Sequence, residues 1–228
     1  MIRHFRTKCK CEQHYLIYLS GMVYYICLLF DFGAYMNLIR KIWHFFGLYQ
    51  SRKVRLLHCA VLMFVLAQII ISNWMKGTKS SVIPPVDWTY FFTWAHVTIG
   101  FCLFFITLIL IVVCFYERGM RYFYPYLWGD VVPLKNDIKQ LMKLKLPDST
   151  PKGLAAVVQG LGLGALSIVI ISGMVWFFLW LQHSPSALEA RSIHKSLTVL
   201  IEIYIYGHGG FGLIHFVLWY KKSKNSHQ

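Results

Sequence analysis

The sequence predicts an all-α integral membrane protein, a four-helix bundle preceded by an extra N-terminal apolar segment. Three observations carry that prediction. Mean hydropathy is +0.52, and 57% of the residues are hydrophobic while only 14% are charged, against about 25% charged in soluble domains. Four apolar runs, 56–75, 90–116, 153–181 and 196–220, each reach the ~20 residues that a spanning helix needs. Basic residues gather between alternate runs, which is the asymmetry that orients membrane helices.

The first apolar stretch, 15–30, is the least regular. It is short for a span and stops at Asp31, and Arg3, Arg6, Lys8 and Lys10 precede it. Three readings stay open: an interfacial segment, an extra helix, or an over-extended start before Met36. No small-x-small site precedes Asp31, which argues against cleavage as a signal peptide. Beyond Met36, Ile39, Ile42, Trp43, Phe45 and Phe46 beside Arg40 and Lys41 suit a membrane interface. The chain therefore divides into an appendage (1–35), a membrane domain (36–222) and a short tail (223–228).

The runs at 56–75, 90–116, 153–181 and 196–220 read as helices because an open sheet cannot satisfy its backbone in lipid. Small residues in the third run let neighbouring membrane helices approach closely. Arg40, Lys41, Arg52, Lys53 and Arg55 precede the first run. Arg118, Arg121, Lys135, Lys139, Lys143, Lys145 and Lys152 fill the second connection, and Lys221, Lys222 and Lys224 end the chain. Against these stand Lys76 and Lys79 in the first loop and Arg191 in the third. The positive-inside rule thus puts both termini of the four-helix core in the cytoplasm. The connection 117–152 is long for a structureless loop, and the spacing from Asp137 to Lys145 predicts a short basic surface helix.

The net charge of +14 does not indicate nucleic acid, because the cations punctuate apolar runs and form no stripe with interleaved aromatics. Cysteines 9, 11, 27, 59, 102 and 114 form no disulfide framework, and most behave as small hydrophobes within apolar runs. Cys9-Lys10-Cys11 is too sparse for zinc, and no C-x-x-C-H for covalent haem attachment occurs.

Within this frame four histidines stand out: His58, His96, His194 and His208. His194 and His208 share the fourth helix. Fourteen steps at ~100° return the second ring to within ~40° of the first, with a rise of roughly 21 Å. Depth then sets the partners. His58 is near the start of the first span and His96 near the start of the second, at the opposite face. The matched pairs are His58 with His208 and His96 with His194. Two ligand pairs at two depths are the layout for two stacked b-type haems, each closed axially by two imidazoles. Such sites move electrons and leave no open position for oxygen.

His215, seven residues beyond His208, is an alternative inner ligand; its other role would be a contact to a haem propionate or a headgroup. Gly207, Gly209, Gly210 and Gly212 around His208, Gly160, Gly162 and Gly164 on the third helix, and Gly100 near His96 would let a flat porphyrin approach the backbone. Glu202 is the one acid deep in an apolar run, either a proton relay for quinol or a protonated side chain bonded to a neighbour. Arg55, Arg191 and Lys195 are candidate propionate partners. His44 and His183 fall at interfacial or loop positions.

These residues together resemble the bacterial cytochrome b561 family, which also contains the cytochrome b subunits of nickel–iron hydrogenases. The resemblance covers approximately 50–222. It rests on His58, His96 and the pair in Ser192-Ile193-His194 and Tyr206-Gly207-His208, with support from the glycine-rich start of the third helix and the stretch from Tyr124 to Asp130. Cys59 stands after His58, where a Trp is common in the family. The resemblance implies a multipass protein of the bacterial inner membrane, binding two non-covalent haems b. It would exchange electrons between the quinone pool and a periplasmic, membrane or small-molecule redox partner, as a carrier or as a subunit of a quinone-linked oxidoreductase. No nucleophile or acid–base constellation accompanies the histidines, so any activity would come from the haems. The alternative is a non-redox helical subunit, a transporter or assembly component with structural or metal-binding histidines. A transporter should show inverted repeats, and a single metal would want ligands at one depth.

Overall fold

The computed structural model describes residues 35–75 and 88–225, and among these all regular structure is helical. The apolar segment 15–30, the cysteines at 9 and 11, and Lys76 and Lys79 lie outside the described residues. Contacts divide the chain into two units, Met1–Leu48 and Tyr49–Gln228. In the first, residues 35–47 form helix α1, with Tyr35, Met36, Leu38, Ile39 and Trp43 exposed.

The second unit is built on four apolar helices long enough to cross a membrane: α2 (Arg52–Ser72), α3 (Trp88–Arg118), α6 (Leu154–Leu181) and a continuous helical stretch, Ala187–Asn225. A folded connection links α3 to α6. It contains α4 (Met120–Phe123), a 3₁₀ turn (Pro125–Trp128) and α5 (Val132–Met142). The fourth stretch comprises α7 (Ala187–Tyr204), a π-helical turn (Ile205–Gly209) and α8 (Gly210–Asn225).

The spans are apolar on nearly every side, as expected where the outer face meets lipid and only one stripe meets protein. Phe105, Leu108, Ile109 and Val112 of α3 and Ile168, Ile171, Val175 and Phe178 of α6 all point outward. The inner stripes keep a spacing of three and four. On α2, Val54, Val61 and Val65 are buried, and His58 and Gln68 fall on the same stripe. On α3, Thr93, Val97, Leu103, Thr107, Leu110 and Cys114 are buried, with His96 and Gly100 alongside. These helices pack as a row, α2 on α3, α3 on α6, and α6 on α7.

Two apolar clusters fill the bundle. One joins Val54, Val61, Leu103, Leu110, Phe123, Leu166 and Ile201; the other joins Met75, Val97, Trp176, Phe177, Trp180 and Ala187 at the opposite end. Small residues set the helix approach. A Cβ on Gly160 would lie 2.8 Å from the Phe123 carbonyl oxygen, so α6 touches the backbone of α4 there. The Tyr124 hydroxyl donates to the Gly160 carbonyl at 2.8 Å, and burial pushes its phenol above the usual value.

The connection starts where Gly119, at φ +76°, turns the chain out of α3, a conformation glycine reaches without strain. The expected surface helix begins earlier than its apolar spacing suggested, with Pro133 in its first turn. Its Asp137 is not a surface residue. It is 4% exposed, and its carboxylate accepts from the Leu154 N–H at 2.7 Å. Asp137 therefore caps α6 from another helix, because Gly153, at the cap position, has no side chain to do so. Nearby, Lys152 donates to Asp130 at 2.6 Å, and Arg121 lies 3.5 Å away. The Lys152 hydrogen bond holds the Asp130 carboxyl below the usual carboxylate range.

Candidate functional site

α2 and α3 run antiparallel, so a histidine early in each lands at opposite ends of the bundle. The fourth helix runs antiparallel to α6 and presents His194 early and His208 further along. The structure brings the His58 and His208 rings to 6.1 Å between centroids, with planes at 89°. It brings His96 and His194 to 6.3 Å, at 77°. His215 is half-buried and within electrostatic reach of Asp148 in the connection; the ring facing His58 is that of His208. His44 and His183 are exposed.

These separations allow a test of fit to haem iron. Metal–imidazole bonds are about 2.0–2.1 Å, and the ring centre lies about 1.1 Å beyond the nitrogen. Two imidazoles facing one metal ion in line therefore have centroids roughly 6.3 Å apart. Both pairs have that spacing. Among the described residues no group of three or more His, Cys, Asp or Glu side chains converges. The candidate ligands come as pairs, as an axially ligated haem requires.

The surroundings of the two pairs differ. His194 is seated on α6. Its Nδ1 lies 3.0 Å from the Ser172 hydroxyl, and a Cβ on Gly173 would come within 2.9 Å of its Cε1. Gln68 of α2 donates to the His96 carbonyl at 2.8 Å, and Gly100 leaves room for that amide. Trp94, Phe101, Phe177 and Trp180 meet edge to face or tilted around this end. Arg191 donates to the Met75 carbonyl at 3.1 Å, tying α7 to the turn that follows α2.

His208 sits in the π-helical turn, where each residue advances less than in an α-helix. The ideal 100° accounting from His194 therefore does not run through to His208. The Tyr204 ring stacks on His208 at 4.9 Å and 9°, and Gly162 makes room for it, since a Cβ there would run into the end of the Tyr204 ring. Gly160 and Gly162 thus play a different part from the one their composition suggested. Gly160, Gly162 and Gly173 admit protein side chains and backbone, whereas a Cβ on Gly207, Gly209, Gly210 or Gly212 would meet no atom within 4 Å. Glu202 and Lys195 are exposed, and Arg55 is half-buried on α2.

Sequence reasoning did not reach Gln68, Ser172, Gly173 or Tyr204, whose roles arise from contacts between separate helices. The cluster Gly207-His208-Gly209-Gly210 was the available signal for the irregular turn, because glycine lowers helix propensity and π-turns recur at functional positions.

A family model described as prokaryotic cytochrome b561 matches residues 49–223. No curated protein and no solved structure matches the chain.

Proposed function

The chain belongs to the prokaryotic cytochrome b561 family, and from that membership we propose that it is a dihaem electron carrier between the quinone pool and a redox partner. Membership makes it a multipass membrane protein of the b-type cytochrome class, whose work is electron transfer. The finer reading assigns His58 and His208 to one haem iron and His96 and His194 to the other. The observation that carries it is the pair of ring separations, 6.1 and 6.3 Å, at two levels of one bundle. Haem, when bound, supplies a one-electron ferric/ferrous couple.

The residues of this chain do the rest. Each histidine pair would hold one haem iron through two imidazoles, and a haem held so would serve electron transfer and not oxygen binding. Apolar walls at both levels, from Leu103 and Leu110 at one to Trp176 and Trp180 at the other, exclude water. The excess of Lys and Arg near the His58 end supports a cytoplasmic location for that end and for both core termini, in a bacterial inner membrane. Quinone exchange at one face and a periplasmic or membrane partner at the other fit this layout. Residues 1–35 are an appendage to the core of 36–222, and 223–228 form a cytoplasmic tail.

The test is a dithionite-reduced minus oxidised spectrum on purified protein, with extracted haem counted per chain. Two non-covalent haems b are expected. Changing His58 or His208 to Ala should remove one haem, and changing His96 or His194 to Ala should remove the other. A folded protein with no b-type bands, or one haem per chain, overturns the reading.

A further inference from the structure

The seat of His194 carries more information than its position. Ser172 Oγ lies 2.8 Å from the Val169 carbonyl and 3.0 Å from His194 Nδ1. A serine hydroxyl has one proton and two lone pairs. The Val169 carbonyl can only accept, so the hydroxyl proton goes there. The same oxygen is then left to accept from His194 Nδ1–H. That assignment fixes the ring as the Nδ1–H tautomer and leaves the Nε2 lone pair as its only ligating nitrogen.

Gly173, next in sequence, keeps the opposite side of this contact clear. A Cβ there would stand 2.9 Å from His194 Cε1 and 3.3 Å from Nδ1. Ser172-Gly173 on α6 is therefore a seat made of the serine hydroxyl and one missing methyl, with the Val169 carbonyl also within reach of the ring. At the other end His208 is backed by the Tyr204 ring instead.

We propose that Ser172 is a positioning residue that holds His194 by Nδ1, orients its Nε2 toward the iron and tunes that haem alone. The proposal rests on the reading of His194 as a haem ligand. An acceptor on the far nitrogen makes an imidazole more basic and a better donor. A better donor favours the ferric state, so Ser172 lowers the potential of the haem shared by His96 and His194.

The experiment is an optical redox titration of the full-length protein carrying both haems. In Ser172→Ala one midpoint should rise, with the reduced-to-oxidised ratio at fixed potential up about tenfold, or ~59 mV for a one-electron couple. The second midpoint should stay where it is. Ser172→Thr keeps a hydroxyl able to bond the carbonyl one turn back and should restore the native midpoint. Ser172→Cys, close in volume and a weak acceptor, should move the same midpoint in the same direction by less; it carries the test if the alanine variant does not assemble. Two unmoved midpoints in Ala and Cys variants, or a Thr variant shifted as far as Ala, overturn the proposal. His194→Ala separates the two levels of inference. Loss of one haem there, with Ser172→Ala silent, removes the positioning role and leaves the ligand reading standing; retention of both haems removes the ligand reading itself.

Discussion

The two ends of the bundle hold the same kind of residue pair by different means. Around His96 and His194 the fit is made by helices alone: Gly173 and Gly100 take away side chains, Ser172 and Gln68 supply hydrogen bonds, and an aromatic group of Trp94, Phe177 and Trp180 closes the end. Around His58 and His208 the helix itself is irregular, glycines flank His208, and the folded connection from α4 to α5 seals the end through polar contacts. One end resists change through sterics, the other through capping and charge. Substitutions should therefore fail differently at each.

The largest expected effect is at the tight end. In Gly173→Val, added carbons must occupy the space of the His194 imidazole, whose nearest atom would lie 2.9 Å from the first of them. The ring is held at Nδ1 by Ser172 and cannot move away without giving up that bond. On the proposed ligand set, this variant should lose one of two haems and keep the other, as read by haem extraction and the reduced spectrum. Loss of both haems would show that the ends are not independent, and the comparison would fail.

At the other end the next effect is on assembly. Asp137→Ala leaves the Leu154 N–H without its acceptor at the start of α6. Losing a helix cap of this kind costs ~1 kcal/mol, within a range of about 0.5–2. Thermal unfolding in detergent should show a lower midpoint with both haems still present. If the variant instead lost a haem selectively, α5 would be acting on the ligands and not on the helix start.

A smaller effect, of the opposite sign, should appear beside His208. A Cβ on Gly210 meets no atom within 4 Å, and its backbone is ordinary right-handed helix at φ −62°. Gly210→Ala should then stabilise α8 by roughly 0.5–1 kcal/mol through reduced backbone freedom, with the haem count unchanged. Loss of the haem assigned to His58 and His208 would instead mean that this glycine serves close approach of a porphyrin. The contrast with Gly173→Val is the sharpest available between the two ends.

How legible this was from sequence follows the same division. The four spans were readable because length and apolarity are local properties, and depth along antiparallel helices was enough to match His58 with His208 and His96 with His194. What escaped were contacts made by residues with no signal of their own. Ser172 and Gly173 look like ordinary small residues of a membrane helix until His194 is placed against them. Asp137 reads as the polar face of a surface helix, because nothing local reveals that α6 begins beside it. The π-turn escaped since fixed-period reasoning assumes a regular helix, although the glycines around His208 marked the place. Gly160 and Gly162 of the third span also read as clearance for a porphyrin, whereas there the clearance is for Phe123 and Tyr204.

The smallest effect is a pH dependence confined to the capped end. The Lys152 hydrogen bond, with added attraction from Lys152 and Arg121, holds the Asp130 carboxyl below its ordinary value. A group whose folded value is depressed stabilises the fold fully above its unfolded value, ~3.9 for Asp, and that contribution fades as pH falls through the lower folded value. The native protein should therefore lose a small increment of stability on acidification below about pH 4. Asp130→Asn should remove the increment at neutral pH and flatten the acid dependence, because the amide does not titrate. The pair is solvent-accessible, so added salt should shrink the difference between native and variant. The measurement is thermal midpoint against pH for both proteins at low and high ionic strength. Among the described residues the Ser172–Gly173 end offers no equivalent surface ion pair, so its variants should run parallel to the native protein across the same acidic range. If Gly173→Ala changed the acid dependence as Asp130→Asn does, the division of labour between sterics at one end and charge at the other would not stand.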